Sequence, residues 1–471
     1  MPIPVLTVEQ MRAWETASWA AGIRAIDVIA QVGHRIGDWL LTHSTPEDAF
    51  IFLAGRGHNG DDARAASHWI GWRRNQRMIS VTDPIAATAE IATELPRAAA
   101  RAPRVWVIDA LFGIGLNRPF TRPWCQLIEE LNRQTAGRAF RVVAVDVPSG
   151  LTDDTGGTAG ALVIATDTLT VGAPKRGLVG LAAAGRIEVL TDIGLAPAGG
   201  PHEPASPLDW CTEADFTNFP PRRLTAAHKG TQGHLLIVAG SPGYHGAAVL
   251  AARAALRAGP GLVTVVCDPA AYGPVAAQLA QPMVHAWREG FAPPVSVTAA
   301  VVGPGLAAPE LPPGLQRWVQ SLWRDFPGPV LADATALDWL PGRPTPAAPR
   351  ILTPHPGETA RLLGVSTQSV QADRVSAVRE LSQRFRALAV LKGYQTLIAD
   401  AATTTVNPTG NAGLAQGGTG DVLAGFIGGW LARGIPAERA VAYGVWAHGA
   451  AADRLTSHST WTTEELLAEL R

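Results

Sequence analysis

The spacing of apolar residues along the chain alternates between a helical period and short strand-like runs. Residues 7–41 have apolar positions at helical spacing, which predicts one or two helices before the first strand. Beyond them, short runs typical of strands are separated by Ala- and Arg-rich helical stretches. This alternation indicates a parallel sheet with crossover helices. The predicted strands of this first half are residues 50–54, 78–82, 105–109, 142–147 and 169–172.

The alternation is interrupted at residues 195–221, where proline and glycine are frequent, and we predict a domain boundary near residue 212. With 471 residues the chain is too long for one ordinary core. We therefore expect two three-layer α/β/α domains, residues 1–212 and 213–471, with ligands beyond the carboxyl ends of the strands. The second domain has predicted strands at residues 234–239, 262–267, 298–302, 330–332, 350–353, 388–391 and 396–399, and predicted helices at 246–258 and 437–455.

Charge and cysteine content limit the classes of partner. The formal net charge is −1, charged residues make up 17% of the chain, and no long basic run occurs. Binding to nucleic acid or to a membrane surface is therefore not indicated, and small-molecule ligands are expected. No apolar run approaches the roughly 18 residues of a membrane span, the N-terminus lacks a signal-peptide pattern, and Cys125, Cys211 and Cys267 have no disulfide or metal spacing. We expect a cytoplasmic protein, with the oligomeric state left open, a homo-oligomer included.

A glycine-rich segment in the second half carries the first chemical signal. Residues 411–421 read Asn-Ala-Gly-Leu-Ala-Gln-Gly-Gly-Thr-Gly-Asp and lead directly into an apolar helical run. Glycines let backbone N–H groups approach an anion, and the start of a helix adds partial positive charge. Asp421 would then lie where it could take a proton from a hydroxyl group beside that anion. An N-cap aspartate after a flexible loop is the alternative interpretation.

Lysine is scarce, and its positions are informative. Of 39 basic residues only three are lysines, namely Lys175, Lys229 and Lys392. Each lies in a motif with glycine: Ala-Pro-Lys-Arg-Gly, His-Lys-Gly and Leu-Lys-Gly-Tyr-Gln-Thr. Because arginine supplies positive charge elsewhere, a retained ammonium group indicates a site that uses a compact point charge.

Four further segments of the second half lie at predicted strand ends: residues 239–247, 303–306, 353–358 and 392–396. His355, between two prolines near a helix start, is by itself open to a role in the core or in ligand binding. The P-loop pattern Gly-x-x-x-x-Gly-Lys-Ser/Thr does not occur. Together these segments resemble the ribokinase-like superfamily, and within it the ADP- or ATP-dependent NAD(P)H-hydrate dehydratases, over about residues 222–460.

The resemblance implies a ribokinase-like domain that phosphorylates and then dehydrates hydrated NADH and NADPH. Asp421 would deprotonate the ring hydroxyl for attack on the terminal phosphate of the nucleotide, and elimination of phosphate would restore the reduced cofactor. Mg²⁺ is expected with the nucleotide. The nucleotide would contact Lys392, Gly393, Tyr394, Gln395, Thr396 and Gly420. The hydrate would contact Asp421, His355, Gly305 and an alanine after Tyr244, either Ala247 or Ala248, of which we assign Ala248.

The first half has polar residues at three predicted strand ends, Asn59, Asp109 and Ser149, whose oxygens suit a monovalent cation. Turn formation is the alternative role for each of them. With the motifs around them they resemble the NAD(P)H-hydrate epimerases over about residues 5–195, fused to the dehydratase as in bifunctional bacterial repair enzymes. The resemblance implies a Rossmann-like domain in which these three residues hold K⁺ and Asp146 is the acid/base, with Lys175 a weaker catalytic candidate. The hydrate would contact His58, Asn59, Gly60, Asp61, Asp62, Gly113, Ile114, Gly115, Leu116, Asn117, Arg118, Pro119 and Asp146.

The chain departs from the patterns of both families. The epimerase loop usually reads Gly-x-Gly-Asn-Asn-Gly-Gly-Asp-Gly, whereas here His58 replaces an asparagine and Asp61 and Ala63 replace glycines. An added carboxylate near a phosphate-bearing ligand and a Cβ at a position of positive φ would both impair epimerisation. Residues 28–30 read Val-Ile-Ala in place of Leu-Met-Glu. In the dehydratase half, Asp-Ala-Asp-Ala-Leu becomes Asp-Ala-Thr-Ala-Leu at residues 333–337, which puts the role of a second carboxylate in doubt.

Three interpretations follow from these residues. The first is a bifunctional repair enzyme, with epimerisation of the R and S hydrates followed by dehydration of the S hydrate. The second is a vitamin or sugar kinase of the ribokinase-like superfamily. The third is a dehydratase whose N-terminal half is a non-catalytic binding module, suggested by the altered loop at residues 57–63. ADP and ATP are not distinguished by the sequence, although the bacterial type of fusion favours ADP.

Overall fold

The computed structural model describes residues 2–152, 154–195, 206–341, 348–455 and 460–471. It divides into two compact units, Ile3–Leu208 and Asp209–Arg471. Residues 196–205 of the predicted interdomain segment lie outside the described residues. Within the described part, no helix combines the length and the apolar character that crossing a membrane requires.

The N-terminal unit is a parallel sheet between helices, which confirms the predicted α/β class. Its six-stranded sheet has the order β3-β2-β4-β5-β6-β7, and every neighbouring pair is parallel. The predicted helical region of residues 7–41 forms two helices, and β7 had not been predicted. The elements are β1 (Ile3–Pro4), α1 (Val8–Ala20), α2 (Ala25–His43), β2 (Ala49–Ala54), α3 (His58–Ile70), β3 (Asn75–Ser80), α4 (Pro84–Ala99), β4 (Val105–Ala110), α5 (Arg122–Thr135), β5 (Phe140–Val145), β6 (Asp167–Val171) and β7 (Arg186–Leu190).

Both faces of this sheet are covered, because alternate side chains of its central strands pack into two different cores. Phe50 and Phe52 of β2 pack with the apolar sides of α2 and α3. Ile51 and Leu53 of the same strand pack with α4 and α5 on the other face. Since the middle of the sheet is dry on both sides, polar groups of this unit concentrate where the strands end.

The C-terminal unit is a second three-layer unit with a larger sheet. Its strands follow the order β17-β16-β15-β14-β13-β12-β9-β10-β11, in which β16 and β17 are antiparallel to their neighbours and the others are parallel. The elements are β8 (Leu208–Trp210), β9 (His234–Val238), α6 (His245–Ala258), β10 (Leu262–Cys267), α7 (Tyr272–Ala276), β11 (Met283–Ala286), β12 (Ala299–Val302), α8 (Leu315–Asp325), β13 (Val330–Ala332), β14 (Arg350–Leu352), α9 (Pro356–Leu363), α10 (Thr367–Ala372), α11 (Arg374–Phe385), β15 (Leu388–Leu391), β16 (Leu397–Ala399), β17 (Thr404–Val406), α12 (Thr419–Ala432), α13 (Ala437–Arg454) and α14 (Thr463–Glu469).

Helix α12 is held deep in this unit by glycines. A Cβ on Gly425 would lie 2.0 Å from the carbonyl oxygen of Ala251, and one on Gly429 would lie 2.6 Å from that of Ala255. Only glycine therefore allows α12 to pack this closely on α6. The close packing fixes the N-terminus of α12, where Asp421 lies in the first turn.

Candidate active sites

A pocket of about 500 Å³ lies beyond the carboxyl ends of β2, β4, β5 and β6 in the N-terminal unit. It contains most of the residues that the sequence predicted for the hydrate: His58, Asn59, Asp62, Gly113, Ile114, Gly115, Leu116, Asn117, Arg118 and Asp146. Gly60, Asp61 and Pro119 do not line it. Gly60 instead packs against the backbone of Gly55, where a Cβ would lie 2.2 Å from the carbonyl oxygen.

Asp146 and Lys175 form a buried ion pair in this pocket. The Lys175 ammonium is 1% exposed and donates hydrogen bonds to Asp146 Oδ1, to the Val171 carbonyl oxygen at 2.6 Å and to Thr170 Oγ1 at 3.2 Å. Asp146 has a φ of 68°, in the left-handed region that non-glycine residues rarely occupy. Such backbone strain, of about 1–3 kcal/mol, is found mainly at functional sites. Lys175 is therefore the direct counter-ion of Asp146.

Two of the three predicted cation ligands are in direct contact. The Ser149 hydroxyl donates to Asp109 Oδ1 at 2.6 Å, and the Ser149 backbone N–H donates to Asp109 Oδ2 at 2.8 Å. Burial raises the pKa of Asp109 to about 6, although the hydrogen bonds from Ser149 act against this shift. Oδ1 and Nδ2 of Asn59 are both buried and have no hydrogen-bond partner among the residues that the structure describes. Buried polar atoms are nearly always satisfied, so an orphaned amide oxygen fits an ion or a ligand in this region.

The altered loop has a different structure from the one that the sequence suggested. Residues Asp61 and Ala63 lie inside α3, and neither has a positive φ, so the expected backbone strain is absent. Asp61 forms an ion pair with Arg64 at 2.8 Å and does not line the pocket. The sequence argument treated these positions as loop, whereas the helix begins at His58.

Helix α1 contributes residues that the sequence argument missed. Arg12 and Glu15 line the pocket, and Arg12 donates a hydrogen bond to the carbonyl oxygen of Ile114 at 2.8 Å. Burial and the charge of Asp146 raise the pKa of Glu15. The helical periodicity of residues 7–41 was visible in the sequence, but it does not say which face of α1 meets the sheet.

Lys392 is the centre of the charged site in the C-terminal unit. Its ammonium lies 2.7 Å from Asp333 Oδ1 and 4.0 Å from Glu358 Oε2. Burial lowers the pKa of Lys392, but the two carboxylates outweigh burial and the net shift is upward. A Cβ on Gly420 would lie 3.4 Å from Lys392 Nζ, so the glycine-rich loop and Lys392 are adjacent. The ion pair between Asp333 and Lys392 does not depend on a carboxylate at position 335. Thr335, the residue at that position, lines a separate cleft of about 500 Å³ with residues 306–309.

Asp421 lies at the N-terminal turn of α12 beside this cluster. Burial and the charge of Asp333 raise the pKa of Asp421 to about 7, against the opposing effect of Lys392. A carboxyl group that titrates near neutral pH is suited to accept a proton from a hydroxyl group. Asp421 is not the N-cap residue of α12, because Gly418 occupies the N-cap position.

His355 is not a core histidine, since more than half of its side chain is exposed. Its Nδ1 accepts hydrogen bonds from the backbone N–H groups of Gly357 and Glu358, which caps α9. The proton of the neutral ring is therefore on Nε2, which lies 3.5 Å from Glu358 Oε1. Glu358 thus joins His355 to Lys392.

The remaining predicted residues occupy the loops around this cluster. Gly393 has a φ of 130° and lies against the Arg374 guanidinium, and the side chain of Tyr394 is exposed. A Cβ on Gly305 would lie 2.7 Å from the Cβ of Ala247. Ala248 is fully buried, whereas Ala247 is half-buried beside Gly305. Of the two alanines, Ala247 is the more exposed, so we propose it below as the contact in place of Ala248.

Comparisons with known proteins agree with this geometry. A family model described as NAD(P)H-hydrate dehydratase matches residues 235–470, and one described as YjeF-related protein N-terminus matches residues 85–177. The ADP-dependent (S)-NAD(P)H-hydrate dehydratase of Neisseria meningitidis serogroup B is 43% identical over 49% of this chain and 80% of its own length. A ribokinase-like superfamily protein from Enterococcus faecalis V583 has a TM-score of 0.50 at 23% identity, covers 56% of this chain and 94% of its own, and supports the fold alone.

One relative matches both units. The bifunctional NAD(P)H-hydrate repair enzyme Nnr of Coxiella burnetii is 35% identical over 94% of this chain and 93% of its own length. Identity at this level across nearly the whole of both chains is what two fused domains in the same order produce. The family predicted from the sequence is confirmed, and the chain belongs to the bifunctional NAD(P)H-hydrate repair enzymes.

Proposed function

We propose that residues 213–471 dehydrate the S epimer of hydrated NADH and NADPH, with ADP as the phosphoryl donor. The observation that carries this function is Asp421, a carboxyl group with a pKa of about 7 next to Lys392 and the glycine-rich loop. As a carboxylate, Asp421 takes the proton of the C6 hydroxyl group. The oxygen of this hydroxyl group attacks the terminal phosphate of ADP. The ring nitrogen then drives out phosphate, and the C5 proton leaves with the phosphate as hydrogen phosphate, which restores the reduced ring.

The other residues of the cluster bind and orient the two substrates. Lys392, Gly393, Tyr394, Gln395, Thr396 and Gly420 are proposed to hold the nucleotide, and His355, Gly305 and Ala247 the hydrate. The name of the relative from Neisseria meningitidis supports ADP over ATP. Membership of the repair-enzyme family favours this function over a vitamin or sugar kinase.

Mg²⁺ is proposed to enter with the nucleotide. One or two carboxylates with phosphate oxygens and water are the usual ligands of Mg²⁺ at such sites. Asp333 and Glu358 are the two buried carboxylates beside Lys392, and they fit this requirement. When bound, the ion would neutralise charge on the phosphate oxygens.

For residues 1–212 we propose the interconversion of the R and S hydrates, with Asp146 as acid/base. His58, Asn59, Asp62 and the loop of residues 113–118 line the pocket that would hold the substrate. K⁺ is proposed to bind through Asn59, Asp109 and Ser149, whose hard oxygens and unsatisfied amide fit such an ion. It would supply a fixed positive charge beside the phosphates of the hydrate.

We place the protein in the cytoplasm, consistent with its free cysteines.

The direct test is incubation of the purified chain with each hydrate and each nucleotide. With the S hydrate and ADP, the absorbance of reduced nicotinamide should return, whereas a kinase would leave a stable phosphorylated alcohol. With the R hydrate and no nucleotide, chromatography should show the S hydrate forming faster than in buffer. An unchanged R hydrate would instead support a non-catalytic binding module.

The pKa of Asp421 predicts the pH dependence of dehydration. The base must be a carboxylate, and its pKa is raised to about 7, so it is protonated and inactive at lower pH. We expect kcat for the S hydrate to rise about tenfold per pH unit below 7 and to level off above it. Initial rates at saturating ADP across pH 5.5–8.5 would measure this profile. A flat profile would contradict the role of Asp421.

The structure also predicts that reverting the altered loop has little effect. Asp61 is offset by Arg64 and does not line the pocket, so the charge penalty expected from the sequence is largely cancelled. We expect Asp61→Gly and Asp61→Asn to change the epimerase kcat/KM by less than about threefold, the scale of an exposed ion pair. A tenfold increase of the epimerase kcat/KM in Asp61→Gly would instead support the charge penalty that the sequence suggested.

A further inference from the structure

The N-terminal pocket contains an acidic group that no catalytic role above uses. Glu15 lines the same cavity of about 500 Å³ as Asp146 and Lys175. Its side chain is half-buried, and among the described residues its carboxyl group has no hydrogen bond and no ion pair. The carboxyl group therefore opens onto the cavity and is available to a ligand there.

The packing of α1 fixes this position. Thr7 and Gln10 form a reciprocal capping box at the start of the helix. The side chains of Met11 and Trp14 lie 3.1 and 3.4 Å from where a Cβ of Gly172, just after β6, would be. Glu15 is one turn beyond Met11, so the same helix face carries it over the end of the sheet.

The carboxyl groups of Asp146 and Glu15 have different charged neighbours. Lys175 is paired directly with Asp146. Glu15 lines the cavity with Asp146 and Asp62, and its carboxyl group is influenced by the charge of Asp146 and more weakly by Lys175, His58 and Arg12. Two carboxyl groups that line one cavity, of which only Asp146 is paired with a cation, are an arrangement that acid–base catalysis uses.

This inference rests on the epimerase function proposed above. We propose that Glu15 is the second acid–base residue of the epimerisation and acts as the partner of Asp146. Inverting C6 requires the hydroxyl group to leave one face of the ring and to return on the other. One group must donate a proton to the leaving oxygen, and another must accept a proton from the oxygen that returns.

The proton and electron balance closes with these two groups alone. In the R-to-S direction Glu15 protonates the C6 hydroxyl group, the C6–O bond breaks, and water leaves as the N1 lone pair forms a C6=N1 bond. Water then adds to the opposite face of C6, the electron pair returns to N1, and Asp146 takes the released proton. One proton has moved from Glu15 to Asp146, and the S-to-R direction moves it back.

The test is Glu15→Gln in the full chain, assayed with the R hydrate without nucleotide so that dehydration does not proceed. We expect kcat to fall about 100-fold with KM changed less than about threefold, the range for loss of a general acid. The wild-type kcat should fall as the pH rises through the raised pKa of Glu15 and the acid loses its proton, and this limb should be absent in Glu15→Gln and restored in Glu15→Asp. Glu9→Gln, at an exposed position of the same helix, is the matched control and should behave as wild type.

Each other outcome counts against the proposal. Retention of more than a third of kcat by Glu15→Gln, or persistence in this variant of the wild-type fall in kcat with rising pH, would overturn it. A loss of activity with a lowered thermal midpoint and no rescue by Glu15→Asp would assign Glu15 a structural role only. A wild-type chain that does not accelerate interconversion would overturn the epimerase function, and this inference with it.

Discussion

Replacing Asp421 with asparagine is expected to lower kcat for dehydration by about 10³-fold while ADP still binds. Asparagine has nearly the shape of aspartate and can still lie at the start of α12, but it cannot accept the hydroxyl proton. The nucleotide contacts proposed for Lys392 and Gly420 do not involve the Asp421 carboxylate. Calorimetric titration with ADP should therefore give a Kd within about threefold of wild type, and the return of reduced nicotinamide absorbance should be almost lost.

Asp325→Asn is the matched control, because Asp325 is an exposed residue of the same unit that forms an ion pair with Arg324. It should leave kcat and the Kd for ADP unchanged. If Asp421→Asn kept a tenth or more of the wild-type kcat, Asp421 would not be the base. If it lost ADP binding as well, its role would be to shape the nucleotide loop.

The architecture was largely predictable because the central strands are continuous apolar runs between helical stretches. The strands that the sequence argument missed have weaker signals. β7 and β11 are edge strands with exposed and half-buried positions, and β17 has only three residues. The pattern that reveals a buried parallel strand is absent where one side of a strand has no neighbour.

For the N-terminal pocket, the sequence predicted the lining residues better than the contacts between them. The motifs placed residues 113–118 and Asp146 at one sheet edge, since carboxyl ends of parallel strands converge there. The pairing of Asp61 with Arg64 follows from helical spacing, but only once α3 is known to begin at His58. The contribution of Glu15 depends on how α1 packs on the sheet, which local sequence does not encode.

The second prediction of large effect concerns the ion pair in the N-terminal pocket. Asp146→Asn is expected to reduce epimerisation of the R hydrate by about 10³-fold, because an amide cannot exchange the proton. It also leaves the Lys175 ammonium buried without a counter-ion. Loss of one partner of a buried pair typically destabilises a protein by about 3–5 kcal/mol, so the thermal midpoint should fall as well. Chromatography of the two hydrates and a thermal melt would measure the two effects.

The matched control must separate lost chemistry from lost stability, and the chain offers a second buried aspartate paired with a basic residue. Asp167 accepts a hydrogen bond from Arg141 at 2.6 Å and lies outside the pocket lining. Asp167→Asn should also lower the thermal midpoint, but by less than Asp146→Asn does, because Arg141 is partly exposed. The folded Asp167→Asn variant should nevertheless epimerise the hydrate at the wild-type kcat. If both variants lost epimerase activity in proportion to stability, Asp146 would be structural. Loss confined to Asp146→Asn at temperatures where both are folded is what an acid/base role requires.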